Sequence, residues 1–240
     1  MHGSQTHYLP LTPGLFAILA LAAVVVLIVI QLSALRYAYM RLGLSSRGAF
    51  LLLIGSLIGS YFNIPVTVLP SQQVVSGEIV HFFGMDYVVP RVVDWAGTVI
   101  AVNIGGAVIP VLMSGYLLLR YGILFSAGIA TLIVAAVIHA LAHPVPGLGI
   151  AVPVFAPALV TAITALLLSR LYAPQIAYIA GSIGTLIGAD LLNLDKIPGL
   201  GAPVASIGGA GTFDGIFVTG IIAVLLASIT GGGPARARTR

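Results

Sequence analysis

The sequence predicts an all-α fold, a polytopic transmembrane helix bundle of about seven spans with a small external β-hairpin. Hydrophobic residues make up 59% of the 240 residues and charged residues only 7%, a balance far from that of soluble domains. Apolar stretches of about 20 residues, the length that crosses a bilayer, occur seven times. They lie near residues 14–35, 49–69, 95–119, 122–141, 151–169, 174–193 and 213–230.

The positions of the basic residues predict the orientation of these spans. If the N-terminus is outside, one side receives only Arg91 and Lys196, and the opposite side receives eight arginines. The eight are Arg36, Arg41, Arg47, Arg120, Arg170, Arg236, Arg238 and Arg240. Because short cytoplasmic loops are enriched in Lys and Arg, we expect the C-terminus to be cytoplasmic. The first span lacks the features of a cleaved signal peptide, so we expect it to remain.

We expect one transmembrane domain over residues 1–235, with an external loop at 70–94, followed by a basic cytoplasmic tail at 236–240. Within the loop, β-branched and aromatic runs on both sides of Gly84 predict a hairpin, whose free edge we expect to pair with an unfolded substrate strand. An interfacial loop is the alternative. The basic residues lie in the loops and tail of a membrane protein, so we expect membrane lipids and no nucleic acid as partners. Nothing in the sequence indicates the oligomeric state.

Several spans carry faces made of small residues. Gly55 and Gly59 are four residues apart in the second span, and Gly181, Gly184 and Gly188 form a similar face on the sixth. Such faces let helices approach closely, so we predict helix packing at both.

Two of the six acidic residues, Asp190 and Asp214, fall within predicted spans, where an ionised carboxylate is costly and usually functional. The sixth and seventh spans run antiparallel, which puts both acids at similar depth. Neighbouring helix axes lie about 8–10 Å apart, a gap that two inward-pointing side chains bridge. Asn193 shares a helix face with Asp190 and is expected to donate a hydrogen bond to it, whereas Gly211 and Gly215 leave room for a substrate.

Two carboxyl groups at that separation in a low dielectric hold one proton between them and act on a bound water as general base and general acid. This is aspartic-protease chemistry. The same pair is also suited to carrying protons or a cation during transport. A structural alternative is that each acid caps a helix, as Asp214 would at the start of the seventh span.

Other polar residues give weaker indications. Asn103, in the third span, either lines the cavity of the acids as a substrate contact or makes an interhelical hydrogen bond. His139 and His143 are spaced like zinc ligands, but Ala140 stands where zincins have Glu, so we expect an interfacial pair. Glycines in the connection at 194–212 predict a loop that folds back into the protein. The chain has no cysteine, and we expect neither a metal nor another cofactor.

The segment Gly211-Thr-Phe-Asp214-Gly-Ile-Phe217-Val-Thr219 resembles the Gly-x-Gly-Asp signature of intramembrane aspartyl proteases of the presenilin and signal-peptide-peptidase type. In those proteins the signature Asp begins a helix and its partner Asp lies on the preceding helix, where Asp190 stands. Phe213 replaces the glycine of that signature. The resemblance implies that Asp190 and Asp214 are catalytic and that the substrate is a membrane-embedded protein or peptide.

Over the whole chain, the sequence is identified as a member of an uncharacterised prokaryotic membrane family, domain of unknown function 1614. Residues 207–217 and the segment Gly188-Ala-Asp190-Leu-Leu-Asn193 carry this resemblance. It implies a shared fold, a location in a prokaryotic plasma membrane and no established reaction. We expect an intramembrane aspartyl endopeptidase, with a proton- or cation-coupled transporter and a non-catalytic membrane assembly protein as the alternatives.

Overall fold

Helices make up most of the molecule. The computed structural model describes residues 13–70, 72–82, 85–95, 97–145, 149–153, 155–198, 200–209 and 215–230. Within these ranges the α-helices are α1 (Pro13–Arg41), α2 (Ser46–Gly59), α3 (Ile109–Tyr121), α4 (Leu124–Leu141), α5 (Ala156–Leu168), α6 (Ala173–Ile179) and α7 (Gly215–Thr230). Each predicted apolar stretch overlaps one of them, so the mostly helical character of the chain is confirmed.

Two of the helices adjoin segments of π-helix or 3-10 helix. Helix α6 runs on through two π-helical segments, Ala180–Gly184 and Leu186–Asp190, and then through a 3-10 segment, Leu191–Lys196. Helix α3 is preceded by a π-helical segment, Ile104–Val108. Asp190 therefore lies within the irregular turns that follow α6.

Four helices of the described chain are long and apolar enough to cross a membrane: Ala20–Arg41, Ile104–Tyr121, Leu124–Leu141 and Ala173–Lys196. Three further apolar helices are shorter: Ser46–Gly59, Ala156–Leu168 and Thr219–Ser228. The 14 residues of α2 cover about 21 Å, less than the roughly 30 Å of a hydrocarbon core. The protein thus has the character of a multi-pass membrane protein, with four helices that meet the length of a full span.

Two stretches that the sequence predicted as membrane helix are strands, so the all-α prediction is wrong there. Strand β1 (Asn63–Val68) replaces the end of the predicted span 49–69, and β4 (Val99–Asn103) replaces the beginning of 95–119. Both segments are rich in β-branched residues, and Pro65 has no backbone N–H for a helix. An edge strand tolerates this proline, because one side of its backbone is unpaired.

The remaining strands are β2 (Gln72–Phe82), β3 (Met85–Trp95), β5 (His143–Val145), β6 (Gly149–Ala151) and β7 (Val204–Ile207). Of these, β7 joins β1 and β4 in a three-stranded sheet, and the others form two hairpins. Strand β4 lies between β1, with which it is antiparallel, and β7, with which it is parallel. Strands β2 and β3 pair from Gln72 opposite Trp95 to Phe82 opposite Met85, so the hairpin predicted within 70–94 is confirmed.

The helices pack closely where the sequence predicted faces of small residues. A Cβ added to Gly181 would lie 3.3 Å from the Cα of Gly220 on α7, and one added to Gly184 would lie 2.9 Å from Val134 on α4. On α2, a Cβ at Gly59 would lie 3.0 Å from the backbone nitrogen of Gly105. The predicted packing role of these glycines is confirmed.

The bundle has two different ends. At one end the Tyr121 hydroxyl donates to the Leu42 carbonyl (3.0 Å), and the Gln175 amide donates to the Arg41 carbonyl (3.2 Å). Arg41 also donates to the carbonyl of Ser228 near the end of α7 (3.3 Å). These contacts gather the helix ends that carry Arg36, Arg41, Arg47, Arg120 and Arg170, and we call this the arginine end. The opposite ends of α2, α3 and α6 lead into β1, β4 and β7, and we call that the sheet end.

Candidate functional site

Asp190 lies at the sheet end, as the last residue of the second π-helical segment after α6. Its side chain is partly buried, and its Oδ2 accepts a hydrogen bond from the backbone N–H of Gly208 (2.8 Å). Gly208 directly follows β7. The carboxylate is therefore held by a backbone amide from a loop that folds over the end of the helix.

This fold-back requires glycine at position 208. The φ angle of Gly208 is +91°, a left-handed conformation that residues with a Cβ rarely adopt. A Cβ at this position would lie 2.7 Å from both the backbone nitrogen and the Cβ of Ala107. The loop thus packs on the π-helical segment Ile104–Val108, which confirms the predicted return of the 194–212 connection into the protein.

Asn193 forms hydrogen bonds with the backbone of the irregular turns that follow α6. Its side chain is fully buried, and its amide group donates to the carbonyls of Gly188 and Ala189 (both 2.9 Å). Its Oδ1 accepts a hydrogen bond from Nζ of Lys196 (2.7 Å). Both amide hydrogens are engaged in this way, so the expected hydrogen bond from Asn193 to Asp190 is not formed. A role for Asn193 in substrate binding stays a prediction.

A second polar group lies at the start of the π-helical segment before α3. Asn103 is fully buried and donates to the Ser60 carbonyl (2.8 Å) and to the Asn63 side chain (3.1 Å). Its Oδ1 accepts from the backbone N–H of Gly106 (2.8 Å), and the hydroxyl of Ser206 donates to Asn63 Oδ1 (2.6 Å). Asn103 thus bonds to the residue that follows α2 and to β1, so the predicted structural hydrogen bond is formed, but not between two helices. A role for Asn103 in substrate binding stays a prediction. The network ties β1, β4 and β7 together.

The described residues include only part of the predicted site. Asp214 and Gly211 lie outside them, and Gly215 is the first residue of α7. Neither Gly208 nor Ser206 is predicted from the sequence as a functional residue. The only signal for the first was the Gly208-Gly209 doublet, which marks a chain reversal without indicating what it faces.

The register of α6 against α7 fixes the level at which α7 begins. Arg41 bridges Gln175, near the start of α6, and Ser228, near the end of α7, while Gly181 faces Gly220. The two helices are therefore antiparallel. At about 1.5 Å per residue, the backbone at Gly215 reaches within about one helical turn of the level of Asp190.

In the described part of the chain no three His, Cys, Asp or Glu side chains cluster around a shared point. His143 begins the short strand β5, and the helix α4 that carries His139 ends two residues later at Leu141. The two histidines therefore do not share one helix face, which was the basis of their zinc-like spacing.

Fold and site together define a helical membrane protein with an acidic side chain at the irregular end of a long helix. The chain belongs to the family described as "Protein of unknown function (DUF1614)", which matches residues 57–226. This match includes the sheet end and Asp190, and it confirms the family membership expected from the sequence. Comparisons with curated proteins and with solved structures found no match.

Proposed function

We propose that this protein is an intramembrane aspartyl endopeptidase, in which Asp190 and Asp214 hydrolyse a peptide bond of a membrane-embedded protein or peptide. The observation that carries the proposal is the hydrogen bond from Gly208 to Asp190. It anchors one carboxylate to the loop that continues, six residues after Gly208, to Asp214.

The register of the helices supports the same pair. The chain enters α7 at Gly215, within about one turn of the level of Asp190 on the antiparallel helix. Asp214 is the residue directly before Gly215, and consecutive Cα atoms are 3.8 Å apart. The proposal therefore takes the second acid to act near the depth of the first.

In the proposed reaction the two carboxyl groups hold one water and one proton. The ionised group accepts a proton from the water as its oxygen attacks the carbonyl carbon, and the protonated group donates to the carbonyl oxygen. In the second step the group that took the water proton donates it to the peptide nitrogen, the other group accepts a proton from a hydroxyl of the tetrahedral intermediate, and the C–N bond breaks. The products are one carboxylic acid and one amine, and the acids return to their starting protonation.

The membrane arrangement in this proposal has seven crossings in a prokaryotic plasma membrane, with the N-terminus outside and the C-terminus cytoplasmic. The clustering of Arg36, Arg41, Arg47, Arg120 and Arg170 at one end of the bundle supports it, because cytoplasmic ends are enriched in Arg. The sheet end, with Asp190, then faces the outer leaflet.

The test is cleavage of a reporter with a transmembrane helix by the purified protein in proteoliposomes. We expect Asp190→Asn and Asp214→Asn each to abolish cleavage while the melting temperature stays close to that of the unmodified protein. Asp195→Asn is the matched control, because this exposed acid is only five residues from Asp190. Full cleavage by either of the first two variants would exclude the dyad.

The irregular end of α6 favours a second function, transport of protons or a cation. Transporters often place ion sites where a membrane helix is interrupted, and α6 passes through two π-helical segments and a 3-10 segment around Asp190. Transport predicts proton flux in proteoliposomes that Asp190→Asn stops, with no cleaved product. If both Asn variants only lower the melting temperature, a non-catalytic assembly role is favoured.

A further inference from the structure

A cavity of about 260 Å³ lies at the arginine end, between the turn that joins α3 to α4 and the turn that joins α5 to α6. Its lining consists of Tyr121, Gly122, Ile123, Phe125, Ser126 and Tyr172. The rings of Tyr121 and Tyr172 contact each other, with centroids 5.8 Å apart. Sites for drug-sized ligands usually measure about 300–1,000 Å³, so this cavity suits a group of the size of a lipid headgroup.

A cation stands beside this cavity. The Arg120 guanidinium lies 5.9 Å from the ring centroid of Tyr121, a wall residue, and 5.6 Å from that of Tyr116, whose hydroxyl accepts a hydrogen bond from it. The side chain is exposed, so the remaining guanidinium donors are accessible from outside the protein. Arg170, two residues before Tyr172, is exposed at the same end.

The segments that form the arginine end carry arginines but no acidic residue to balance their charge. Residues 36–47, 116–126 and 167–175 contain five arginines, and none of the six acidic residues of the chain lies in them. An anion from outside the chain is therefore the complementary partner.

Apolar side chains in and next to the cavity are exposed. Leu119 is 90% exposed and Phe125 is 82% exposed, and Leu124, Leu167 and Leu171 are also exposed. In a bilayer these side chains contact acyl chains. Cation, cavity and apolar surface therefore occur together at one helix boundary, as anionic phospholipids require.

We propose that the cavity binds the phosphate headgroup of an anionic membrane lipid. Arg120 pairs with the phosphate, the glycerol portion enters the cavity beside the contacting rings of Tyr121 and Tyr172, and the acyl chains follow Leu119 and Phe125. The proposal depends on membrane insertion of the bundle and is independent of any reaction at Asp190.

The test measures thermal stabilisation of the purified full-length protein in neutral detergent. Dioleoylphosphatidylglycerol and dioleoylphosphatidylcholine are added over a range of concentrations, and glycerol phosphate serves as the soluble anion. We expect stabilisation by phosphatidylglycerol alone. Since one Arg near an anionic surface contributes about 1 kcal/mol, Arg120→Gln should raise the half-saturating concentration about fivefold.

Two further variants separate the cavity from the general charge of this end. Arg47→Gln removes an exposed arginine outside the cavity and should leave the lipid response unchanged. Ser126→Leu fills the cavity without a change of charge and should weaken the response as Arg120→Gln does. Equal stabilisation by both lipids, equal loss in Arg47→Gln and Arg120→Gln, or a full response to glycerol phosphate would each overturn the proposal.

Discussion

The arginine end and the sheet end of the bundle differ in how their helices are joined. At the arginine end, α3 and α4 are linked by a short turn through Gly122, and the Tyr121 hydroxyl bonds to one backbone carbonyl. At the sheet end, strands, π-helical segments and a returning loop are joined through Asn103 and Asp190. Irregular backbone leaves N–H and C=O groups without helical partners, which is costly near a bilayer.

Two polar side chains at the sheet end, Asn103 and Asp190, differ in how far their hydrogen bonds explain their presence. Asn103 satisfies a carbonyl and an amide of the irregular backbone, so its burial has a structural cause. The carboxylate of Asp190 accepts a hydrogen bond from Gly208, which an uncharged Asn side chain can also accept through its carbonyl oxygen. The hydrogen bond alone therefore does not require an ionisable group at that position, and stability measurements can distinguish the two residues.

The largest effect on stability is expected from a glycine pair that compares the two ends. Gly208→Ala forces a Cβ to within 2.7 Å of Ala107 at a φ of +91°, so we expect a loss of about 3–5 kcal/mol in the free energy of unfolding. Gly122→Ala has a φ of +65° but no atom within 4 Å of the new Cβ, so we expect only about 1–2 kcal/mol.

Thermal melting of both variants in the same detergent checks this difference. The Gly208 variant should also lose reporter cleavage, because the loop that bonds to Asp190 is displaced. Equal melting temperatures for the two variants would mean that the returning loop does not pack on the π-helical segment as described.

A difference of similar size is expected between two hydrogen-bonding side chains. Asn103→Leu leaves the Ser60 carbonyl and the Gly106 amide without their partner, and each buried unpaired group costs about 1–3 kcal/mol. Tyr121→Phe removes one hydrogen bond to the Leu42 carbonyl, a loss of about 1 kcal/mol. Unfolding titrations of both variants should give a larger loss for Asn103→Leu, and the reverse order would contradict the ranking of the two ends.

The sequence predicted the arginine end better than the sheet end. Helix α4 was predicted at 122–141 and occupies Leu124–Leu141, because its apolar run is uninterrupted and Gly122 marks its start. Strands β1 and β4 were missed because a run of apolar β-branched residues has the composition of a buried helix as well as of a strand. Their pairing with each other, and of β4 with β7, depends on contacts between residues about 40 and 100 positions apart along the chain, which local patterns do not encode.

The candidate site was predictable to the same limited degree. Asp190 stood out because a carboxylate in an apolar stretch is rare. Its partner Gly208 did not, because a glycine doublet specifies a reversal of the chain and not its destination. The side-chain amide of Asn193 was expected to face the acid from its spacing in a regular α-helix. The π-helical and 3-10 turns changed that spacing and directed the amide to the carbonyls of Gly188 and Ala189.

The smallest effect on stability is expected from shortening the hairpin, which has no counterpart at the arginine end. Strands β2 and β3 pair with each other and, in the described chain, with no other strand. Replacing residues 78–89 by Asn-Gly, a sequence that favours a tight turn, should therefore leave the melting temperature almost unchanged. If the hairpin edge holds an extended substrate segment, cleavage should fall about tenfold, the value of one or two strand hydrogen bonds. Unchanged cleavage would exclude that role, whereas a lowered melting temperature would show that the hairpin belongs to the folded core of the sheet end.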